Sequence, residues 1–148
     1  MHQPLHVSFV DDRGGNQIRV TGPCSAHELH GVWDSCIIDK ELGADVDTIA
    51  TELMNGVTQA QIQQWRNSKP IDWANESFHI ATEADVEYCV EKNGACFYSR
   101  AHETFDASDP RTVDVDQTYL DHFAPIVRDR LRMAGVRLAM LLEQALGQ

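Results

Sequence analysis

The sequence predicts an all-α fold with one short β-hairpin near the amino terminus. From Leu120 to Ala145, apolar residues recur every three or four positions, which is the spacing of an amphipathic helix. Residues 6–10 and 17–21 are rich in β-branched and aromatic side chains and flank the turn-forming segment 11–16, which predicts the hairpin. With 148 residues, 43% of them hydrophobic, the chain is long enough for one domain with a buried core.

The first helices are predicted from their start and stop signals. Ser25 precedes Glu28 by three positions, which is a capping-box pattern, and Gly43 is a natural stop. A helix is therefore predicted between them. Residues 46–55 and 58–65 also repeat their apolar positions at helical spacing, so two shorter helices are predicted there.

The second half of the chain is predicted to hold two helices separated by a loop. Asp72 is predicted to cap a helix that runs to about Val90. Residues 93–114 carry turn signals without sustained periodicity and are predicted to form a loop. The long final helix is expected to bend at Pro125 and to end at Gly147.

The charge balance limits the ways in which this chain can bind a polyanion. Lys and Arg number 12 against 23 Asp and Glu, a formal net charge of -11. A basic footprint for nucleic acid is therefore excluded. If the chain acts on a polyanion, bound metal cations are the obvious source of positive charge, and its seven histidines are candidate ligands. We expect no membrane span, since no run of 18 apolar residues exists, and no signal peptide is recognisable at the start.

Four cysteines are present, and none forms the CxxC pair typical of structural zinc sites: Cys24, Cys36, Cys89 and Cys96. Cys89 and Cys96 flank a turn signal, Asn93-Gly94, so they are either a disulfide or two thiols near a surface loop. Cys36 lies among apolar neighbours and is predicted to be a buried thiol.

A metal-site pattern occurs at His30 and Asp34. These residues are four apart, so on a helix they lie on one face about one turn apart and can bind one zinc ion. The alternative is a hydrogen bond at the surface. His6 can supply a third ligand, which leaves a fourth position open, as in catalytic zinc sites.

Five segments together resemble the S1/P1 nuclease family: MHQPLH at 1–6, DRGGN at 12–16, LHGVWD at 29–34, WANES at 73–77 and AGVRLA at 134–139. The resemblance covers essentially the whole chain. It implies a mostly helical fold shared with zinc-dependent phospholipase C. It also implies cleavage of single-stranded DNA and RNA to 5′-phosphorylated products, removal of the 3′-phosphate from 3′-nucleotides, and a cluster of three zinc ions.

The resemblance assigns His6, His30 and Asp34 to one of those three zinc ions. The family's ligands for the other two ions come from its first half, including an Asp that would fall immediately before Met1. We therefore expect residues 1–148 to be the carboxyl-terminal portion of a single nuclease domain, holding about one zinc. An internal Met used as a start would explain the missing signal peptide.

Gly14, Gly15 and Asn16 are close in sequence to the metal ligands and are predicted to help orient substrate, with a tight hairpin turn as the alternative. The family is typically secreted or periplasmic, which is consistent with a Cys89–Cys96 disulfide.

Two other functions remain open. One is a non-catalytic fragment that binds one zinc or none and associates with itself through the surface its missing half would cover. The other is a phospholipase C-like lipid hydrolase.

Overall fold

The computed structural model describes residues 1–10, 12–93, 95–97 and 111–147. Its helices are α1 (Leu29–Gly31), α2 (Ile37–Glu41), α3 (Val46–Met54), α4 (Gln59–Arg66), α5 (Pro70–Ala81) and α6 (Gln117–Leu146). A π-helical turn, Val32–Cys36, joins α1 to α2, and 3-10 turns span Pro4–Val7 and Ala84–Val86. The strands are β1 (Arg19–Thr21), β2 (Val90–Lys92), β3 (Ala95–Phe97) and β4 (Thr112–Asp114). The predicted mostly helical fold is confirmed.

The longest element is α6, with 30 residues and a length of about 45 Å. The Asp116 carboxylate caps its first turn by accepting a hydrogen bond from the Tyr119 amide at 2.8 Å. Gly147 ends the helix with a φ of 72°, the left-handed conformation typical of a helix terminator. The predicted end point of this helix is confirmed, and Pro125 lies inside it.

The core lies between the first half of α6 and the helices α1 and α2. Trp33 and Phe123 pack with ring centroids 4.9 Å apart, and the Trp33 indole donates a hydrogen bond to the Tyr119 hydroxyl at 2.9 Å. The backbone carbonyl of Val86 accepts from the same hydroxyl. Aromatic packing and satisfied polar atoms therefore fix α6 against the helical segment that carries His30 and Asp34.

The hairpin predicted at residues 6–21 is wrong. Pro4 begins a 3-10 turn instead, because it has no amide hydrogen and its φ already suits a helical start. Strand β1 pairs in parallel with β4, with Val20 opposite Val113, so its partner comes from a distant part of the chain. The hairpin that does form joins β2 to β3 antiparallel, so β2 lies just before the predicted loop of residues 93–114 and β3 lies inside it.

Two predicted helix limits also need correction. The helix predicted from Ser25 begins at Leu29, and Glu28 is its N-cap residue rather than a capping-box partner. Helix α5 begins at Pro70 and ends at Ala81 rather than near residue 90. Asp72 caps α5 from within its first turn, because its carboxylate accepts the Lys69 amide at 2.8 Å.

Cys24 and Cys36 form a disulfide, which corrects the prediction that Cys36 is a free buried thiol. Cys36 is indeed buried, but β1 leads directly to Cys24 and brings the two together, a contact that local sequence does not encode. Cys89 is also disulfide-bonded. The predicted Cys89–Cys96 pairing falls outside the described residues, since the Cys96 side chain is not among them. None of the helices in the described ranges has the length and apolar character needed to cross a bilayer.

A buried charge cluster joins α5, α6 and the amino-terminal segment. The Glu76 carboxylate accepts two hydrogen bonds from Arg137, both at 2.8 Å, and one from Arg130 at 2.7 Å. Arg130 also donates to the backbone carbonyl of His2 at 3.2 Å and to the Ser77 hydroxyl at 2.7 Å. The Arg137 side chain is 1% exposed and that of Arg130 is 7% exposed, so both charges depend on Glu76 for neutralisation.

We expect Glu76→Gln to lower the free energy of unfolding at pH 7 by about 3–5 kcal/mol, because two buried guanidinium groups lose their counter-charge. Hydrogen bonds from Arg137 and Arg130 lower the Glu76 pKa to about 2 from 4.5. The stabilisation is therefore complete above about pH 4.5 and is lost as the pH falls towards 2.

Urea unfolding of the variant and of wild type at several pH values measures both effects. The control is Glu143→Gln, because Glu143 forms an exposed ion pair with Arg66 and should barely move the urea midpoint. Equal midpoints for the two variants would show that the buried cluster adds no stability.

Candidate metal centre

Three side chains from three elements converge at one edge of the core. His6 lies on the first 3-10 turn, His30 on α1 and Asp34 on the π-helical turn. The His6 Nε2 atom is 3.1 Å from Asp34 Oδ1, and His30 Nε2 is 3.5 Å from Asp34 Oδ2. The two imidazole rings stack with centroids 5.0 Å apart. Within the described residues, no other three His, Cys, Asp or Glu side chains place ligand atoms this close, all within 4.8 Å.

The π-helical turn presents Asp34 outward. Trp33 and Cys36 on this turn are buried, whereas the Asp34 side chain is 44% exposed. Such turns are rare and occur often at functional sites. The predicted i and i+4 relation between His30 and Asp34 therefore places both groups on one side of the helical segment, although the turn between them is not a regular α-helix.

A backbone hydrogen bond fixes the orientation of His30. Its Nδ1 atom lies 2.7 Å from the Gly14 carbonyl oxygen. A carbonyl can only accept, so Nδ1 carries a proton and Nε2 is the nitrogen that faces Asp34. Metal-bound histidines are commonly oriented in this way by a partner on their other nitrogen.

The segment 12–16 is a tight turn, though not a hairpin turn. The Asp12 carboxylate accepts hydrogen bonds from the Gly14 and Gly15 amides at 3.1 and 2.7 Å. At Gly14 the φ is 67°, and an added Cβ would lie 2.3 Å from the Leu5 carbonyl oxygen, so only glycine fits. The Asn16 side chain is exposed and donates to the Arg13 carbonyl at 2.6 Å.

Of the three residues predicted to orient substrate, Gly14 thus orients a predicted metal ligand. Gly15 is buried and contributes its amide to the turn, while Asn16 alone is exposed. A direct contact of any of the three with substrate stays a prediction.

Gln3 connects two of the predicted ligands and was missed in the sequence analysis. Its side-chain amide donates to Asp34 Oδ1 at 2.9 Å, while its side-chain oxygen accepts from the Leu5 and His6 amides. The available signal was a polar side chain directly before the Pro that opens a helical turn, which is an N-cap pattern. Gln3 therefore orients Asp34 and supports the turn that carries His6.

A cavity of about 210 Å³ opens beside His6 and Asp34. Val127 and Leu131 form its apolar wall, and the Arg130 guanidinium also lines it. His2 lies at its edge, and Arg137 is 3.0 Å from the His2 Nε2 atom. Burial and the two neighbouring arginines lower the His2 pKa to about 4, so this imidazole is neutral near pH 7. Its Nε2 atom accepts a hydrogen bond from Arg137.

The donor set suits zinc. Two imidazole nitrogens and one carboxylate are common zinc ligands, and three protein ligands with an open position are typical of catalytic zinc sites. In a tetrahedral site with bonds of about 2.0–2.1 Å, neighbouring ligand atoms are about 3.3 Å apart. His6 Nε2 and His30 Nε2 lie 3.1 and 3.5 Å from different oxygens of Asp34, and the three groups place ligand atoms within 4.8 Å of one another, which one zinc ion can span after small side-chain adjustments.

Comparison with known proteins identifies the family of this chain. The family model described as S1/P1 Nuclease matches residues 1–147. The chain belongs to the S1/P1 nuclease family. It is 32% identical over 145 residues to Endonuclease 4 and 31% identical over 144 residues to Endonuclease 5, both from Arabidopsis thaliana. It is 24% identical over 154 residues to Nuclease S1 from Aspergillus oryzae.

These alignments include nearly all of this chain but only part of each relative. They cover 97% of the chain in all three cases, but 46% of each Endonuclease and 49% of Nuclease S1. The chain therefore spans about half the length of the curated relatives it matches. The family membership supports a nuclease function.

Proposed function

We propose that this chain forms the zinc-binding carboxyl-terminal portion of a nuclease domain that cleaves phosphodiester bonds. The observation that carries the proposal is the convergence of His6, His30 and Asp34 in a chain that matches the S1/P1 nuclease model over 1–147. His6 is 28 residues from Asp34 in sequence, yet with His30 these side chains bring two imidazoles and a carboxylate together at one point. A metal ion explains the convergence.

The proposed ligands are His6 Nε2, His30 Nε2 and a carboxylate oxygen of Asp34. Zinc held there would supply a Lewis acid that activates water and neutralises charge on phosphate oxygens. The chain's own groups prepare the site. The Gly14 carbonyl keeps the His30 lone pair directed inward, and Gln3 keeps one Asp34 oxygen in place. The exposed open side of the group leaves room for a phosphate to approach.

The proposed substrates are single-stranded DNA or RNA and 3′-nucleotides. A chain with a formal net charge of -11 repels polyanions in bulk, so binding depends on local positive charge. Bound zinc would provide that charge at the site. We propose that Gly14, Gly15 and Asn16 contribute to substrate placement, with the exposed Asn16 in direct reach of a ligand.

We also propose a secreted or periplasmic location, which the Cys24–Cys36 disulfide favours.

A second candidate is a weakly active or non-catalytic chain that holds a single zinc. Two observations favour it. Within the described residues one three-ligand group is found, whereas the family resemblance implies three ions. The chain also spans about half the length of its relatives. On this view, full activity requires residues that a second polypeptide segment contributes.

The second half of α6 exposes an apolar stripe that suits such a segment or another copy of the chain. Phe123 and Val127 on the first half of the helix are 1% and 6% exposed, respectively. Leu138 and Leu141 continue the same helical spacing, but they are 57% and 42% exposed. Leu142 adds a further half-exposed side chain. We propose that this stripe mediates self-association when nothing else covers it.

The zinc content should be about one ion per chain, because one three-ligand group is described. Metal analysis of protein purified without chelator measures it. Asp34→Ala should lose the ion, and the matched control Asp39→Ala should keep it, because Asp39 is an exposed carboxylate on α2 outside the group. Three tightly bound ions, or undiminished zinc in Asp34→Ala, would contradict the proposed ligand set.

The isolated chain should cleave single-stranded DNA only at trace levels, even with excess zinc. Loss of charge stabilisation from two further ions should cost at least about three orders of magnitude in rate. Adding the amino-terminal half of a related nuclease, in cis or as a second chain, should restore activity. In the restored enzyme His30→Ala should abolish cleavage, whereas His79→Ala, at an exposed histidine of α5, should not.

Two results would overturn this expectation. Robust, chelator-sensitive cleavage by the 148-residue chain alone would show that it needs no further ligands. Hydrolysis of phosphatidylcholine vesicles by the restored enzyme, without cleavage of single-stranded DNA, would show that its function is lipid hydrolysis and not nucleic-acid cleavage.

The isolated chain should be oligomeric in sedimentation velocity, because the stripe is uncovered. The double variant Leu138→Glu/Leu142→Glu should shift the population towards monomer, since both side chains are about half exposed and the changes leave the core intact. The control Val46→Glu changes an exposed apolar residue at the start of α3 and should leave the distribution unchanged. A strictly monomeric wild-type chain would refute the proposed association.

A further inference from the structure

We infer that Asp12 and Tyr88 form a buried positioning unit that orients His30 for metal binding through the peptide bond between Gly14 and Gly15. Neither side chain is among the proposed metal ligands. The inference rests on the proposed zinc site, because it concerns how one of the ligands is prepared. It assigns a role to a buried carboxylate and a buried phenol that zinc binding itself does not use.

The arrangement begins with a hydrogen bond in the core. The Tyr88 hydroxyl donates to Asp12 Oδ1 at 3.0 Å and accepts the Phe9 amide, also at 3.0 Å. Tyr88 and Asp12 are both 0% exposed. Burial holds the pKa of the Tyr88 phenol well above its usual range, so the hydroxyl remains a donor at all pH values at which the protein would work.

One peptide plane then transmits the orientation of Asp12 to His30. The Gly15 amide donates to Asp12 Oδ2 at 2.7 Å, and the Gly14 carbonyl on the opposite side of the same peptide accepts from His30 Nδ1 at 2.7 Å. A peptide bond is planar, and in the trans form its amide and carbonyl point in opposite directions. Fixing the amide against Asp12 therefore fixes the carbonyl against His30.

The charge on the carboxylate strengthens the second hydrogen bond. A carboxylate that accepts from a peptide amide polarises that peptide and makes its carbonyl a better acceptor, and such chains are cooperative in a low-dielectric interior. The arrangement is equivalent to the carboxylate–histidine pairs that support zinc ligands, with a peptide inserted between the two groups. It favours the tautomer of His30 with the proton on Nδ1 and the lone pair on Nε2.

Backbone geometry shows that the turn has little freedom to adjust. Arg13, Gly14 and Gly15 all have positive φ values, of 55°, 67° and 85°. Arg13 is a non-glycine residue in this region, where an L side chain is strained. The hydrogen bonds from the Gly14 and Gly15 amides to Asp12 offset that strain. Without the carboxylate, the turn loses the interaction that holds the Gly14 carbonyl in place.

The test measures the tautomer of His30 directly, in the metal-free chain. Nitrogen-15 NMR over a series of alkaline pH values distinguishes a proton on Nδ1 from one on Nε2. Comparison with His30→Gln assigns the signals. Wild type should show the Nδ1–H form. Asp12→Asn should give a mixture of the two tautomers. The asparagine NH2 group is a donor and would face the Gly14 or Gly15 amide, which is also a donor, so one hydrogen bond of the turn would be lost. Tyr88→Phe should give a smaller change in the same direction.

Zinc affinity provides a second readout, measured by competition with a chelating dye. Asp12→Asn should lower the affinity about 10–100-fold and Tyr88→Phe by about tenfold or less, the range found for groups that support metal ligands. Tyr119→Phe is the matched control for the tautomer of His30 and not for zinc affinity, because its bond to Trp33 supports the segment that carries Asp34. It also removes a buried phenol hydroxyl that bridges two hydrogen-bond partners, but its partners are Trp33 and Val86 rather than the turn at Asp12.

Each outcome is decisive. A folded Asp12→Asn or Tyr88→Phe chain with wild-type tautomer and affinity would overturn the inference, as would a tautomer change in Tyr119→Phe equal to that in Tyr88→Phe. If Asp12→Asn does not fold, the tautomer of His30 in Tyr88→Phe is compared with that in Tyr119→Phe. If wild type fails to bind zinc, the proposed function fails, but the tautomer measurement still tests the positioning unit because it needs no metal.

Discussion

The position of the amino-terminal segment depends on one carboxylate. Glu76 neutralises two arginines of α6, and one of these arginines holds the His2 backbone. Glu76 lies on α5, so the same cluster also fixes α5 against α6. The 3-10 turn that begins at Pro4 follows directly from this anchored segment. The placement of His6 therefore depends on the buried charge cluster that holds the preceding segment and on local capping by Gln3.

The candidate metal centre is organised by hydrogen bonds that exist without a metal. His30 is oriented by the Gly14 carbonyl, Asp34 by the Gln3 amide, and the turn that carries His6 by the Gln3 side-chain oxygen. Sites whose ligands are held by supporting groups lose less conformational freedom on binding. The exposure of Asp34 and His6 keeps the open side of the group accessible to a ligand from solvent.

Local features were predictable from the sequence, and long-range contacts were not. The end of α6 and the helical character of α3 and α4 follow from apolar spacing and caps, which are properties of short windows. The three candidate metal ligands were identified from spacing and family resemblance, and the structure brings them together. The Cys24–Cys36 disulfide and the role of Gln3 at Asp34 depend on how distant or irregular segments meet, which no periodicity encodes. The hairpin predicted at residues 6–21 was wrong for the same reason, because β1 pairs with the distant strand β4.

The parallel pairing of β1 with β4 has a consequence for folding kinetics. The strands are 93 residues apart at Thr21 and Asp114, whose side chains also share a hydrogen bond. Parallel strands cannot be joined by a tight turn, and closing a long loop costs entropy that rises with the logarithm of its length. Helices α3 and α4 consist of local contacts and can form early, whereas this strand pair has high contact order. Docking of α6, which follows β4 directly, should therefore accompany β1–β4 closure as a late step of folding.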